Sequence, residues 1–170
     1  MSQKVIELKS VSVYQPIGAV TVLSKSNYQR SGELVLSDVN LDVYEGEMVY
    51  FIGRVGSGKS SLLKTLYAEM PLLQGEAMVA GFDLAKMKSR NIPMLRRRLG
   101  IVFQDYRLLT DRNVFDNLYF MMQATGWKSD SDMRQRIDEL LTSTGLQHKA
   151  YKMPYELSGG QQQKLAIARA

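Results

Sequence analysis

A chain of 170 residues with 45% hydrophobic and 23% charged residues and a net charge of +5 has the make-up of one folded domain with a sizeable core, which excludes a largely disordered segment. The absence of cysteine excludes disulfides and thiolate metal sites and fits a reducing compartment. No apolar run approaches ~18 residues, so no membrane-spanning helix is expected, and Met1–Lys9 alternates instead of forming the apolar centre of a signal peptide.

In chain order, Val5, Leu8, Val11 and Val13 outline a first strand, with Tyr14 following it. Gln15–Glu33 is polar, carries Pro16, Gly18 and Gly32, and reads as an excursion or long loop. Val39, Leu41 and Val43 alternate as in a half-buried strand. Glu45-Gly46-Glu47 signals a turn, and the continuous apolar run Met48–Ile52 predicts a short strand covered on both faces. A glycine-rich segment and a helix beginning near Lys59 come next. Met78–Ala80 and Ile101–Phe103 predict further short strands. Between these two, Lys86, Lys88, Arg90, Arg96, Arg97 and Arg98 gather much of the positive charge. That run reads first as a solvated face, with nucleic acid or lipid head groups as the alternative, and no interleaved aromatics support base stacking there.

The second half is helical in pattern. Val114, Leu118, Met121 and Met122 share one helical face, and so do Met133, Ile137, Leu140 and Leu141 after a capping start at Ser129–Asp132. Strands first, one βα unit, then a helical block predict an α/β core with a helical subdomain inserted after Gln104.

The stretch "GRVGSGKSS", Gly53–Ser61, carries chemistry. Gly53, Gly56 and Gly58 are expected to adopt backbone angles that a side chain would forbid, letting the loop wrap an oxyanion. Successive N–H groups along it, those of Arg54, Val55 and Ser57 included, would form an anion nest, and the following helix would offer its N-terminus, with Ser60 and Ser61, to the same phosphates. Lys59 can reach the β- and γ-phosphates, and the Ser60 hydroxyl can take one position on Mg²⁺. The preceding apolar run and the following helical stretch "SSLLKTLYAEM" set this motif apart from a ligand-free glycine turn. Such a P-loop points to an NTPase and leaves its class open.

The rest of the chain narrows the class. "LSGGQ", Leu157–Gln161, followed by Gln162-Gln163-Lys164, resembles the signature sequence of ABC-type ATPases. Gln104 in "IVFQD" matches the glutamine that family carries between the P-loop core and the helical subdomain, and Tyr14 matches its adenine-stacking aromatic. Tyr28 competes for that role because the Gln15–Glu33 excursion is longer than usual for the family. Lys164 stands where many relatives carry arginine. Physically, Ser158-Gly159-Gly160 is a second helix N-terminus bare of large side chains with one hydroxyl donor; alone it would also read as a simple helix cap.

The resemblance implies an α/β P-loop NTPase core of the ABC ATPase type, with an N-terminal antiparallel β subdomain and an inserted helical subdomain. It would form one domain: about 1–103 for the core and β subdomain, about 104–160 for the helical subdomain with the signature, and 161–170 for the start of the signature helix. It implies ATP and Mg²⁺ as cofactors and the reaction of ATP with water to ADP and phosphate. Lys59 and Gln104 would act in cis, with Gln104 beside Ser60 at the metal. Ser158 and Gly160, flanked by Gly159 and Gln161, would act in trans on the nucleotide of a second copy in a head-to-tail pair.

"VFQDYRLLTDRNVFDNL", Val102–Leu118, resembles the bacterial cell-division branch of that family, with Leu108–Val114 the most discriminating part. Lipoprotein-release and macrolide-export branches are the alternatives, and they usually lack the Asp111-Arg112 pair. The branch implies a cytoplasmic subunit, peripheral on the inner face of the plasma membrane. It would drive an integral membrane, permease-like partner that controls peptidoglycan hydrolases. Tyr106, Leu108, Leu109 and Phe115 are candidate contacts for that partner, with core packing as the plainer reading. No nucleic acid partner is expected. A chromosome-structuring ATPase would separate P-loop and signature by long coiled coils, and no sustained heptads occur.

The family also carries, after the signature helix, an apolar strand ending in a Mg²⁺-binding aspartate, then a glutamate and a later histidine. None follows the signature here. His148 precedes it and reads as a surface loop residue. The C-terminal part of the core is therefore expected to be missing and this polypeptide to hydrolyse little ATP, which leaves a non-catalytic, ATP-gated binding module as the competing reading.

Overall fold

The computed structural model describes residues 2–16 and 32–170. The chain divides into two compact units, Met1–Leu99 and Gly100–Ala170.

The first unit is built on a four-stranded sheet of order β2-β1-β3-β4. Its strands are β1 (Lys4–Pro16), β2 (Gly32–Tyr44), β3 (Gln74–Val79) and β4 (Phe82–Asp83). All three pairings are antiparallel. The β1–β2 ladder is long, from Lys4↔Tyr44 to Pro16↔Gly32, so Gln15 and Glu33 lie opposite each other in paired strands. The excursion expected over Gln15–Glu33 is thus shorter at both ends, because ladder hydrogen bonds outweigh the weak strand preference of these polar residues. Tyr14 likewise sits within β1 instead of following it. Tyr28 lies outside the described residues.

β3 covers the predicted strand but ends at Val79, because Ala80 (φ 48°) and Gly81 (φ 84°) form a two-residue turn into β4. Positive φ at both central residues is the geometry whose twist matches a tight hairpin.

Leu8, Val11, Val13, Ala77 and Val79 of the sheet bury their side chains against Leu62 and Leu66 of α1 (Lys59–Leu66), with Met70, Leu72, Leu84 and Leu95 completing the core. Leu95 belongs to the short helix α2 (Ile92–Arg96). The Arg96 guanidinium donates to the Tyr67 and Ala68 carbonyls at 3.0 and 3.1 Å, just past the end of α1. One cation of the basic run therefore caps orphaned helix carbonyls, while Lys88, Arg90 and Arg98 are exposed.

Two expected strands are absent. Residues 48–52 and 101–103 take part in no ladder. Phe51 packs against the first core, but Met48, Tyr50 and Ile52 are 78%, 77% and 93% exposed. The physical reason is that a doubly covered strand needs hydrogen-bonded neighbours, and no described strand lies beside either run.

The second unit is helical: α3 (Val114–Thr125), α4 (Asp130–Thr144) and α5 (Gly159–Arg169). Their stripes meet in a second core of Val114, Leu118, Met122, Met133, Ile137, Leu141, Leu146, Leu157 and Leu165. The Asn113 side chain caps α3 by accepting from the Asp116 N–H, and Ser129 caps α4 by accepting from that of Asp132. Both helices end on a left-handed glycine, Gly126 and Gly145. Among the described residues no helix is long and apolar enough to cross a membrane.

Candidate nucleotide site

In the first unit, Gly53–Gly58 forms the turn that enters α1. Gly56 (φ 81°) and Gly58 (φ 85°) are both left-handed, and Gly58 is the N-cap of α1 with no side-chain capping bond. A glycine cap leaves the first-turn N–H groups without a side-chain oxygen, and these are the groups that can face an anion. Gly53 differs from expectation: its φ is not positive. It must be small because a Cβ there would stand 3.0 Å from Ser57 Oγ and 3.9 Å from Lys59 Nζ.

The loop is organised around its own cation. Lys59 Nζ donates to the Gly53 carbonyl at 2.9 Å, the Arg54 carbonyl at 2.7 Å and Ser57 Oγ at 3.3 Å. The Ser57 N–H, expected to face an anion, donates instead to the Arg54 carbonyl at 3.2 Å. Val55 is fully exposed and Ser60 is exposed at the helix entry, whereas Ser61 is buried. A direct side-chain contact of Ser61 with a phosphate therefore does not fit; its N–H, in the first turn, does.

The sheet touches this loop at Gly58. Leu36 of β2, paired with Val13 of β1, lies directly against Gly58. Tyr14 is the next residue along β1. Its hydroxyl donates to Gln74 Oε1 at 3.1 Å, so that ring is anchored across to β3.

In the second unit, Gln104 is exposed on a turn in which Tyr106 N donates to the Phe103 carbonyl at 3.0 Å. Tyr106 (φ 57°) and Arg107 (φ 44°) are consecutive left-handed residues without being glycine, a conformation that costs about 1–2 kcal/mol per residue. The Arg107 guanidinium stacks on the Phe103 ring, 4.2 Å from its centroid.

Ser158 is the N-cap of α5 in a reciprocal capping box. Its Oγ accepts from Gln161 N at 3.4 Å, and its N–H donates to Gln161 Oε1 at 3.0 Å. The Gln162 amide fixes the approach, donating to the Pro154 and Leu157 carbonyls at 3.1 and 3.2 Å. The cap reading of Ser158 is thus correct, and it is compatible with the anion reading because the Ser158 hydroxyl proton is still available to donate. Gly159 and Gly160 are exposed, and a Cβ on either would meet nothing within 4 Å. Lys164 is exposed on the same helix, and His148 is exposed in a short 3₁₀ turn.

Two residues of the second unit carry no reading in the sequence analysis. Asn117 is completely buried. Its Oδ1 accepts from Leu109 N at 2.9 Å, and its Nδ2 donates to the carbonyls of Leu109, Arg112 and Asn113 at 2.9–3.0 Å. A lone amide on the apolar stripe of α3 was the available signal. Arg169 reaches back to the Gln104 segment, a contact over sixty residues in sequence with no local signature.

The donors suit the expected cofactors. A left-handed glycine loop at an uncapped helix end, holding a lysine, fits a polyphosphate. The exposed Ser60 hydroxyl and Gln104 amide are hard oxygen donors of the type Mg²⁺ takes. Among the described residues no group of three or more His, Cys, Asp or Glu could hold a metal.

These features define an α/β P-loop NTPase fold, and known proteins place it. Residues 36–170 match the model of the ABC transporter family, and the chain belongs to that family. It is similar to the cell division ATP-binding protein FtsE of Streptococcus pneumoniae D39, at 42% identity over 82% of this chain and 60% of that one. The FtsE proteins of Mycobacterium tuberculosis H37Rv and Escherichia coli K12 are 41% and 40% identical, over 84% and 82% of this chain and 62% of each of theirs. The chain thus spans about three fifths of the length of the relatives it matches. Among solved structures, a dimeric ATP-binding cassette in a post-hydrolysis state bound to ADP and Pi superposes with a TM-score of 0.78 at 29% identity, covering 96% of this chain and 68% of that one. The cbiO1 protein of Clostridium perfringens, part of an ABC transporter complex, gives 0.77 at 26% identity, with 98% and 60% covered.

Proposed function

We propose that this chain is the nucleotide-binding part of a membrane ABC ATPase of the cell-division type, binding Mg-ATP on Gly53–Ser61. The observation that carries this is the left-handed Gly56 and Gly58 at the uncapped start of α1, with Lys59 curled inside the loop. On nucleotide binding the Lys59 ammonium would exchange its carbonyl partners for phosphate oxygens, a gain because charge-assisted bonds to phosphate are the stronger. Ser60 and Gln104 would hold Mg²⁺, which when bound neutralises phosphate charge and favours transfer to water. Tyr14, anchored through Gln74, is the candidate surface for adenine.

The signature would act on a second copy. Glycine in the first turn of α5 weakens the helix, and nothing among the described residues requires it. A helix N-terminus free of Cβ atoms supports close approach by a phosphate from outside, so a head-to-tail pair would seat each nucleotide between one P-loop and the partner's Ser158–Gln161. The membrane partner is proposed to be an FtsX-like, permease-like subunit regulating peptidoglycan hydrolases, with the chain peripheral on the inner face of the plasma membrane. Leu108 and Phe115 pack against the second core, which accounts for them without a partner; Leu109, held by Asn117, and Tyr106 are the stronger contact candidates. Titration with Mg-ATP tests the site: Lys59→Ala is expected to weaken binding at least about tenfold, and equal affinity would overturn the proposal.

A further inference from the structure

The most distinctive long-range contact in the second unit joins the far end of the signature helix to the segment just past Gln104. The two terminal nitrogens of Arg169 donate separately to consecutive carbonyls, Nη1 to that of Arg107 and Nη2 to that of Tyr106 at 2.7 Å. Those two residues are the left-handed pair. Left-handed backbone at a tyrosine and an arginine persists only when its surroundings hold it; beside the local bonds of Tyr106 N to the Phe103 carbonyl and Arg107 N to the Asp105 carbonyl, the forked guanidinium is the holding group from outside the turn. The same helix end also bounds the entry to the segment: a Cβ on Gly100 would stand 2.9 Å from the Ala170 carbonyl oxygen. Residues 100–107 are therefore met at both ends by the C-terminal end of α5, whose N-cap is Ser158 and whose first turn carries Gly160.

We infer that Arg169 is a positioning residue of the nucleotide site: by clamping the Tyr106 and Arg107 carbonyls it sets the direction in which Gln104 is presented and makes the glutamine turn and the signature helix move as one piece. The inference rests on the proposed nucleotide function. Its physical core is that a planar fork fixes two adjacent carbonyls at once, which a point charge cannot do.

The test is a double-mutant cycle read through metal dependence. ATP affinity is measured with and without Mg²⁺ in the wild-type full chain, in Gln104→Ala, in Arg169→Ala and in the double variant. Expected are a several-fold loss of the Mg²⁺-dependent gain in each single variant, metal-free affinity within twofold of wild type, and a double variant no worse than either single one, since residues acting through one another are not additive. Arg169→Lys, with the charge but not the fork, is expected to recover part of the gain, and it replaces Arg169→Ala should the latter fail to fold by circular dichroism. A purely structural arginine would lower affinity equally with and without metal and add to Gln104→Ala; that result overturns the inference. If Mg²⁺ gives the wild type no gain, the inference is likewise overturned. The separate Lys59→Ala titration then distinguishes that outcome from failure of the nucleotide site itself.

Discussion

Gly58 and Leu36 are in such close contact that a Cβ on the glycine would lie 2.8 Å from the leucine Cγ. The phosphate-loop motif thereby rests on the Leu36 side chain of β2, at the residue whose left-handed backbone starts α1. Gly58→Ala is expected to lose stability twice, from positive φ and from the clash, by about 2 kcal/mol in total. Leu36→Ala added to it should return only the part due to the clash. Urea midpoints of the two variants check this, and additive losses would refute the shared contact.

At the signature, stability and function should move in opposite directions. Gly160→Ala places a methyl in open space on a helix, so it is expected to stabilise α5 by up to ~1 kcal/mol. It should at the same time weaken ATP-dependent pairing of two chains, measured by sedimentation. A variant that pairs normally would remove Gly160 from the proposed contact. Ser158→Ala, by contrast, removes the cap and should destabilise by about 1 kcal/mol.

Asn117 supports the loop that carries Leu109 and Arg112. Replacing it by alanine leaves the Leu109 N–H and the Arg112 carbonyl without this partner, while the Leu109 and Asn113 carbonyls keep the backbone N–H groups of Arg112 and Asn117. A loss of about 2–4 kcal/mol in thermal or chemical unfolding is expected, and a change below half a unit of that scale would show the loop held by other means.

Acid should loosen the surface joint between α3 and α4. Arg134 donates to Asp130 Oδ2 at 2.8 Å and the Tyr119 hydroxyl to Oδ1 at 2.8 Å, and in that order they hold the Asp130 carboxyl below its ordinary value. A depressed carboxylate contributes stability that is fully present above its unfolded value near ~3.9 and is lost as pH falls through its lower folded value. Asp130→Asn should therefore lower stability at neutral pH and flatten the decline on the acid side, as read from melting temperature against pH. The same slope in both proteins would assign the decline to other carboxylates.

Local chemistry made much of this legible before any coordinates. The pattern of Gly56, Gly58, Lys59 and Ser60 encodes its own conformation, because left-handed angles and a helix start are decided within a few residues. Ser129 and Ser158 announce their caps for the same reason. The runs 48–52 and 101–103 misled, since apolar residues show that burial is wanted but not which neighbour supplies the ladder. Asn117 and Arg169 escaped notice because their partners are chosen by packing.

Residue order alone determined the phosphate-binding loop, the signature cap, the helical stripes and the family they resemble, all of which depend on short-range geometry and periodicity. Tertiary structure alone decided that β1 and β2 zip from Lys4 to Pro16, that Leu36 seats Gly58, and that Arg169 grips the backbone beyond Gln104. Hydrogen bonds and contacts between residues far apart in sequence form only once the chain has folded, and nothing in a local window records which distant carbonyl a guanidinium will meet.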